Sequence, residues 1–502
     1  MPCTTILVGK AASYDGSTII ARNDDSGAGS YTPKKYVVVK PSEQPRVYKS
    51  VISHVEIELP EDPMKYTCVP NALDGEGIWA ASGVNAAHVA MTATETITSN
   101  PMVLGADPLV CYEPGGEDSP ERIGGIGEED IVSLTLPYIR SARDGVQRLG
   151  RLLERYGTYE MNGIAFQDVN EIWWLETIGG HHWIARRVPD DVYVVMPNQF
   201  GMDEFDMEDA MGAQKDFMCS KDLQEFIDKY HLNLDIEPQN IICPREIFGS
   251  HDDADHVYNT PRAWYMERTL NPHSAVWDGP DADFTPVSDD IPWCMVPEKK
   301  LTMEDVKYVL SSHYQGTPYD PYGNYGDKSF RGAYRSIGVN RTDFMSAIQM
   351  RPYVDEDIRV LQWIAFASNA FNVMVPFYTD VDSIPEYLAN TDAQVSTDNF
   401  YWTSRMIAAM ADASYAKSVF HIERYEEKVM SKAHEIVYRY DDLLSDQASW
   451  SADEESKKRK NIRQTANQEM ADMVRDAANE TLGRVLYELS NQMKNSYSRS
   501  DA

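Results

Sequence analysis

A cysteine close to the start of the chain carries the most specific chemistry in the sequence. If the residues before Cys3 are removed, its free α-amino group and its thiol belong to one amino acid. The amine can then take the proton of the attacking sulfur, as an N-terminal amine does for a threonine hydroxyl. Its reference pKa of about 7.7 to 8.0 suits a general base at neutral pH. Cys3 therefore predicts nucleophilic catalysis that needs no histidine.

Two charged residues could complete this site. Opposite charge from Arg22 would favour the thiolate form of Cys3, and Asp25 could orient the α-ammonium group. Judged on these residues alone, an alternative stays open. Cys3 could be an ordinary thiol, and Arg22 and Asp25 could form a surface ion pair.

A β-hairpin would bring these three side chains together. Residues 4–8 and 17–21 are apolar and β-branched, which is typical of strands, and a breaker-rich stretch joins them. With the loop centred near residue 12 or 13, antiparallel pairing puts Cys3 opposite about residue 22.

The rest of the sequence predicts a mixed fold on mostly antiparallel sheet. Helical spacing of apolar residues runs from 128 to 156 and from 461 to 493. We expect a catalytic domain over 3–400, with a loop-rich insertion around 204–330, and a helical C-terminal region over 401–502. Further strands are predicted at 36–39, 77–81, 89–94, 163–166, 171–176, 183–186 and 192–196.

The charge balance excludes several classes of partner. Lys and Arg total 46 against 79 Asp and Glu, so the formal net charge is −33. Charge of that sign repels nucleic acids and anionic membrane surfaces. The sequence has no apolar run of about 18 to 20 residues and no signal peptide, and its cysteines are too sparse for a disulfide scaffold. We therefore expect a cytoplasmic protein without nucleic-acid or membrane partners.

Longer motifs extend the pattern that begins at Cys3. The chain opens with CTTILVGK at 3–10 and continues with DGS at 15–17 and ARNDD at 21–25. These motifs resemble the dipeptidase A family of lactic acid bacteria and the secernin-like cysteine peptidases, and more distantly penicillin V acylases and bile salt hydrolases. The likeness covers about the first 380 residues and includes GVNAAHVA at 83–90, TET at 94–96, MPNQ at 196–199 and RSIGVNRT at 335–342.

The resemblance implies both a fold and an activity. The fold would be α+β, a four-layer αββα sandwich of the N-terminal nucleophile hydrolase type with a helical C-terminal region. The activity would be that of a cysteine dipeptidase for short unblocked peptides, without a metal or organic cofactor. Cys3 matches the nucleophile, Arg22 the thiol-activating arginine, and Asp25 the aspartate that contacts the α-amine.

Three more residues carry over less directly from the relatives. Asn198 matches an asparagine that helps to hold the oxyanion, although a turn asparagine is the simpler alternative. Where the acylases have a second oxyanion asparagine, this chain has Glu95, and a carboxylate cannot donate a hydrogen bond unless it is protonated. We hypothesise that Glu95 instead receives the free α-ammonium group of a dipeptide; a plain strand-end glutamate is the alternative. Arg341 aligns loosely with a late active-site arginine, and a structural role is the alternative.

Pro2 departs from the family pattern, in which Met commonly precedes Cys directly. Methionine aminopeptidase would ordinarily stop at Pro2, so exposing the amine of Cys3 needs a second event, such as self-cleavage of the Pro2–Cys3 bond.

Other functions stay open on the sequence alone. The chain could be an amidase for acylated small molecules of the penicillin V or bile salt type. It could also be a catalytically silent acidic binding protein. Ligand-type residues between His251 and His256 lack the spacing of a known zinc motif and favour an acidic loop over a metal site. The apolar stripe from 461 to 493 gives a physical basis for a homo-oligomer.

Overall fold

The chain folds as two antiparallel β-sheets with helices packed on them, which is an α+β architecture. The computed structural model describes residues 3–236, 239–250, 252–445 and 452–495, with every side chain of these ranges except those of 94 and 452–455. The prediction of a mixed fold on mostly antiparallel sheet is confirmed by the pairing of the strands.

The strands of the described residues are β1 (Thr4–Val8), β2 (Thr18–Asp25), β3 (Val37–Val39), β4 (Val47–Lys49), β5 (Glu56–Glu58), β6 (Tyr66–Cys68), β7 (Ser82–Asn85), β8 (Ala90–Thr96), β9 (Asn162–Gln167), β10 (Ile172–Ile178), β11 (His182–Arg187), β12 (Tyr193–Met196), β13 (Phe205–Asp206), β14 (Phe217–Cys219), β15 (Ile241–Ile242), β16 (Cys294–Met295), β17 (Thr342–Met350), β18 (Val360–Phe366) and β19 (Val375–Tyr378). Sheet I has the order β16-β12-β1-β2-β17-β18-β19, and sheet II has the order β14-β11-β10-β9-β8-β7-β6-β3.

The α-helices of the described residues are α1 (Pro101–Ala106), α2 (Glu128–Thr135), α3 (Ala142–Tyr156), α4 (Met207–Met211), α5 (Leu223–Tyr230), α6 (Pro244–Phe248), α7 (Asp255–Tyr258), α8 (Thr260–Leu270), α9 (Met303–Leu310), α10 (Glu386–Ala389), α11 (Phe400–Ala413), α12 (Tyr415–Ser445) and α13 (Ala452–Ser490). Among the described residues, no helix combines the length and the apolar character that crossing a membrane takes.

The hairpin predicted at the start of the chain is confirmed, but its register differs. Thr5 lies opposite Arg22 and Thr4 opposite Asn23, so continuing the ladder brings Cys3 to Asp24 rather than to residue 22. The observed pairs centre the connection midway between residues 13 and 14, later than the predicted residue 12 or 13. The polar residues 22–25 are thus part of the sheet, held between β1 and β17.

Each sheet buries both of its faces. Leu7 and Ile20 of sheet I belong to the same apolar cluster as Trp174 of sheet II, so this cluster lies between the sheets. Their neighbours Ile6 and Ile19 point the other way, into a cluster with α8, α9 and the C-terminal helices. Side chains alternate between the faces of a strand, which explains the division. The second face of sheet II packs on α2 and α3.

Two predicted elements differ in detail from the structure. The strand expected at 77–81 is absent, since Trp79 and Ala81 have positive φ angles that a strand does not allow, and β7 begins only at Ser82. The helical spacing over 128–156 corresponds to two helices, α2 and α3, because a short 3-10 turn with Pro137 follows α2 and Ser141 caps a new helix.

The helical character predicted for 461–493 is confirmed by α13. Asn467 fixes this helix to sheet I, since its side chain accepts a 2.9 Å hydrogen bond from the Tyr378 amide and donates one of 2.9 Å to the Tyr378 carbonyl. The domain division at residue 400 stays a prediction. Within 204–330 the helices are short, and α8 reaches the candidate site described next.

Candidate active site

Cys3 lies fully buried at the start of β1, beside the guanidinium group of Arg22. The Nη2 atom of Arg22 is 2.7 Å from the Cys3 sulfur. Burial raises the pKa of the Cys3 thiol far above its usual range, and Arg22 opposes this shift only in part. In this environment the thiol holds its proton, so an activated nucleophile needs a nearby base or a change in burial.

Asp24 joins Arg22 to a buried lysine. Its Oδ1 atom is 2.8 Å from Arg22 Nη2 and 4.0 Å from the Cys3 sulfur, and its Oδ2 atom is 3.0 Å from Lys34 Nζ. Burial favours the neutral acid, but Lys34 and then Arg22 outweigh it and hold the pKa of Asp24 below its usual value. Sequence reasoning missed both Asp24 and Lys34, because a lone lysine in a turn-rich segment has no distinguishing pattern.

Asp25 lies on the opposite face of β2 and is held by other residues. It accepts a 2.6 Å hydrogen bond from the Thr342 hydroxyl and forms an ion pair with Arg335. Because neighbouring strand residues point to opposite faces, Asp24 rather than Asp25 approaches the thiol. The expected contact of Asp25 with the α-amine of Cys3 stays a prediction.

Arg262 connects Cys3 to Asn198. This arginine of α8 is fully buried and donates to the Cys3 carbonyl, to Thr4 Oγ1 at 2.6 Å and to Asn198 Oδ1 at 2.7 Å. Burial and then the charge of Arg335 lower the pKa of Arg262 to about 10. The Nδ2 atom of Asn198 donates to the Thr96 carbonyl at 2.9 Å, so the asparagine lies next to the end of β8.

The contacts of Arg341 lie away from Cys3, and its role as a late active-site arginine stays a prediction. Arg341 donates instead to the Ser26 carbonyl at 2.8 Å and to the Tyr258 hydroxyl at 2.6 Å. Arg262 was missed because it lies within the segment read as loops and short helices, and no motif marks it.

Glu95 is buried at the end of β8 and belongs to the same cluster. Its Oε2 atom accepts a 2.8 Å hydrogen bond from Thr5 Oγ1, while Oε1 finds no hydrogen-bond partner among the described residues. Burial raises the pKa of the Glu95 carboxyl to about 8, against the opposing effects of Arg262 and Thr5. Glu95 is therefore mostly protonated at neutral pH and can donate a hydrogen bond.

Glu128, the first residue of α2, brings another carboxylate close to Cys3. Its Oε1 atom is 3.3 Å from Arg22 Nη2, and its amide donates to Glu160 Oε1 at 2.7 Å. Donor atoms of Cys3, Asp24 and Glu128 lie within 4.8 Å of one another, a spacing that could hold a metal ion. One nitrogen of Arg22 contacts all three, so the cation at this centre is the guanidinium.

The histidine-rich stretch at 251–256 falls partly outside the described residues, since His251 is not among them. Within the described part, Asp255 accepts a hydrogen bond from the Ser250 hydroxyl at 3.0 Å. His256 Nε2 is 2.9 Å from the Asp289 carboxylate. Asp255 and His256 belong to the short helix α7 rather than to a loop, and the preference for an acidic loop over a metal site stays a prediction.

Comparisons with known proteins agree on one family. The model of peptidase family C69 matches residues 2–428. The chain is 54% identical over 532 aligned residues to a dipeptidase of Bifidobacterium longum, with 100% of each chain covered. It is 51% identical to a probable dipeptidase A of Streptococcus pyogenes, again over 100% of each chain. It is 43% identical to dipeptidase A of Lactobacillus helveticus, over 97% of this chain and 96% of that one.

Proposed function

Because the chain belongs to peptidase family C69, we propose that it is a dipeptidase that hydrolyses short unblocked peptides through a thioester on Cys3. The observation that carries this proposal is the contact of 2.7 Å between the Cys3 sulfur and the Arg22 guanidinium. A fully buried thiol beside a guanidinium group is an unusual choice for apolar packing, but the cation favours the thiolate form that a nucleophile needs.

Maturation supplies the missing base. Cleavage of the Pro2–Cys3 bond gives Cys3 a free α-amine, whose reference pKa of about 7.7 to 8.0 allows it to accept a proton at neutral pH. The cleavage also removes the segment that is bonded directly to Cys3, which is fully buried in the uncleaved chain. We assign to Asp25 the role of orienting this amine, as the resemblance implies.

The reaction then follows in two steps. The Cys3 sulfur attacks the peptide carbonyl while the α-amine takes the thiol proton, and the resulting ammonium gives that proton to the leaving nitrogen. The C–N bond breaks, the C-terminal amino acid departs, and the N-terminal residue stays as a thioester. Water, deprotonated by the same amine, attacks the thioester, and the sulfur leaves with the proton restored. Arg22 stabilises the negative sulfur at each stage.

Asn198 and Glu95 are proposed to hold the oxyanion. Arg262 and the Thr96 carbonyl fix the Asn198 side chain, and the carboxyl of Glu95, at the end of the same strand as Thr96, is neutral at pH 7. A preorganised donor of this kind contributes about 10²–10³ in rate. A protonated Glu95 can donate a hydrogen bond, which answers the objection that an ionised carboxylate cannot. This role replaces the hypothesis that an ionised Glu95 receives the ammonium group of the substrate. Arg341 remains a substrate-contact candidate by resemblance only.

The wider assignments are proposals of the same kind. The two sheets share an apolar cluster, and each sheet carries helices on its outer face. This arrangement supports the four-layer αββα sandwich of N-terminal nucleophile hydrolases. We also propose a catalytic domain over 3–400 with a helical region over 401–502, a homo-oligomeric assembly and a cytoplasmic location. Free cysteines at all the described positions fit a reducing compartment.

The test combines mass and turnover. Intact mass and N-terminal sequencing of the purified protein should give Cys3 as the first residue. The cleaved enzyme should hydrolyse free dipeptides, and Cys3→Ala should lower kcat/KM by more than about 10³-fold. An active chain that retains Pro2 contradicts the base, and full activity of Cys3→Ala contradicts the nucleophile. Preference for N-acylated substrates would instead identify an amidase, and absence of all hydrolysis a binding protein.

A further inference from the structure

We propose that Glu176 is a positioning residue for the reaction, because it holds the backbone of the segment 197–202, which carries the proposed oxyanion group Asn198. It holds this segment against the part of sheet II that carries Glu95, the other proposed oxyanion group. The inference rests on the proposed function and extends it to a side chain that no motif of the sequence marks.

Two hydrogen bonds meet at one oxygen of the Glu176 carboxyl group. Glu176 belongs to β10 and is fully buried. Its Oε1 atom accepts the amide of Gly201 at 3.0 Å and the indole Nε1 of Trp174 at 3.0 Å. Trp174 belongs to the apolar cluster between the sheets, and side chains two residues apart share a strand face, so Glu176 points into the same apolar layer. A polar group is unfavourable there unless it is hydrogen-bonded, so these two contacts account for its presence.

The environment of Glu176 keeps it a strong acceptor. Burial raises its pKa to about 7, against the opposing effects of the Gly201 amide and the Trp174 indole. At that value a large fraction of the carboxyl group is ionised at neutral pH. Hydrogen bonds to an ionised acceptor are stronger than those between neutral groups.

Gly201 gives the segment 197–202 a second fixed end. Asn198 lies two residues after Met196, which ends β12, and three residues before Gly201. The Gly201 amide binds Glu176, and the Gly201 carbonyl accepts a hydrogen bond from Arg245 Nη2 at 2.7 Å. A Cβ atom at Gly201 would lie 2.3 Å from Met196 Sδ, so this position packs closely against the end of β12. The backbone of Asn198 is therefore held from both sides.

Trp174 relates Glu176 to the position of Glu95. Gly163 of β9 lies opposite Glu176 of β10 on one side and opposite Glu95 of β8 on the other. Neighbouring strands are about 4.8 Å apart, so the backbones of the two glutamates are about 10 Å apart. The Trp174 indole fills the space over Gly163, where an added Cβ atom would lie 2.2 Å from the ring. One oxygen of Glu176 thus binds both the segment of Asn198 and the ring beside Glu95.

Other contacts of Asn198 do not replace this one. Arg262 and the Thr96 carbonyl orient its side chain, and Asn259 Nδ2 donates to its carbonyl at 3.0 Å. Glu176 fixes the later part of the segment, from which Asn198 cannot withdraw without moving. A displacement of about 1 Å in a group that contacts the transition state can cost about 10²-fold in rate.

The experiment measures hydrolysis of alanyl-alanine by the cleaved enzyme. For Glu176→Leu, which has similar size but no acceptor, we expect kcat to fall about 10-fold or more with KM within about threefold, because an oxyanion contact is made only in the transition state. Glu176→Gln should keep kcat within about threefold, since its amide oxygen can accept the same two bonds. Glu267→Leu is the matched control. Glu267 is also fully buried, but neither of its oxygens has a hydrogen-bond partner among the described residues, so kcat should stay within about threefold.

A double-mutant cycle with Asn198→Ala separates positioning from a merely structural role. If Glu176 acts through Asn198, Glu176→Leu should lower kcat less than about threefold once Asn198 is replaced. An equal loss with and without Asn198 overturns the inference, as does a loss in Glu176→Gln as large as in Glu176→Leu. Iodoacetamide labelling of Cys3 should keep its rate in Glu176→Leu, and labelling that slows as much as kcat overturns the inference, because the whole site is then disturbed.

A folding defect does not prevent the test. If circular dichroism shows that Glu176→Leu does not fold, Glu176→Asp takes its place in the same cycle, since it withdraws the carboxyl group by about 1.5 Å. A wild-type kcat in Glu176→Asp then overturns the inference.

The outcomes also separate the inference from the proposed function. A loss of about 10²–10³ in Asn198→Ala together with a wild-type kcat in Glu176→Leu overturns the inference and leaves the proposed function intact. A wild-type kcat in Asn198→Ala removes Asn198 from the oxyanion site and overturns the inference with it. Full activity of Cys3→Ala overturns the proposed function itself.

Discussion

The buried charged side chains near Cys3 form a series of contacts that ends at the Cys3 sulfur. Lys34 neutralises one oxygen of Asp24, and the other oxygen holds Arg22 against the thiol. Arg262 fixes both the Cys3 carbonyl and Asn198. Partners of this kind lock the geometry of a reacting group, because each side chain has few alternative positions once its neighbours are fixed.

The proposed oxyanion role of Glu95 predicts a distinctive pH dependence. In that role the carboxyl donates while it is protonated, below its pKa of about 8, and becomes a repelling anion above that value. We therefore expect kcat/KM to fall as the pH rises through about 8. In Glu95→Gln the amide donates at every pH, so the fall should become shallower and keep only the part caused by loss of the substrate's ammonium group, while activity at pH 7 stays within about tenfold. Hydrolysis of alanyl-alanine measured from pH 6 to 10 tests the change.

Two results would contradict this assignment of Glu95. A descending limb as steep in Glu95→Gln as in the wild type would mean that Glu95 does not contribute to it. A variant that loses its preference for alanyl-alanine over propionyl-alanine would return Glu95 to the role of ammonium acceptor. Glu95→Ala serves as the control, since it removes the donor and should lower kcat by about 10²–10³.

Lys34 is expected to be necessary for stability as well as for the site. Its side chain is fully buried and its charge is balanced by Asp24 at 3.0 Å. Lys34→Met would leave Asp24 with a buried charge compensated by Arg22 alone, and breaking a buried pair in this way costs about 3–5 kcal/mol. Lys10→Met is the matched control, because the Lys10 and Asp190 side chains are each 38% exposed and such pairs are worth about 0–1 kcal/mol. Urea unfolding measures both, and equal stability of the two variants would contradict the prediction.

At the scale of elements, the sequence patterns predicted strands and helices whose formation depends on local interactions. The β-branched run after Cys3, the turn-rich stretch and the second apolar run could be recognised as a hairpin, and the apolar stripe of α13 as a helix. The register could not be derived in the same way. The strand pairing places Asp24 opposite Cys3, two residues beyond the expected partner. Apolar periodicity does not encode the length of a turn, so it could not predict this register.

Contacts between distant segments account for the residues that were missed. Arg262 reaches Cys3 from α8 across 259 positions of sequence, and Glu128 reaches Arg22 across 106. Neither stands in a motif. Arg262 comes from a helix packed on sheet I and Glu128 from a helix packed on sheet II, so only the tertiary packing of both sheets brings them to this site. The strands β17 to β19 were also missed, although β17 forms the longest ladder with β2 and fixes residues 18–25 from the side opposite β1.

Asn23 provides a test of how β2 is held. On the face away from the thiol, its Nδ2 atom donates to the Leu310 carbonyl at 2.8 Å and its Oδ1 atom accepts from Asn369 at 2.8 Å. We expect Asn23→Ala to destabilise the fold by about 1–3 kcal/mol or more, because buried polar groups lose their partners. Since Arg22 and Asp24 flank this residue, kcat should fall as well. Exposed Asn170→Ala should change stability by less than about 0.5 kcal/mol. Unfolding and turnover assays check both, and an unaffected kcat in Asn23→Ala would mean that pairing with β1 and β17 holds the strand without the Asn23 side chain.

At the scale of the molecule, the C-terminal helices complete the core instead of extending from it. Val474 of α13 is fully buried in the cluster that also contains Ile19 of β2. Ile19 points to the face of β2 opposite to the face that carries Arg22 and Asp24. Val474→Asp would bury an unpaired carboxylate, or force it to take a proton, and should cost more than about 3 kcal/mol. Leu486 lies on the same helix but is 51% exposed, so Leu486→Asp should change stability by less than about 0.5 kcal/mol. If the helices formed an independent unit, Val474→Asp would leave dipeptide hydrolysis unchanged at temperatures where the helices melt. We expect hydrolysis and helical circular dichroism to be lost together, because one apolar cluster connects α13 to the strand that carries Arg22.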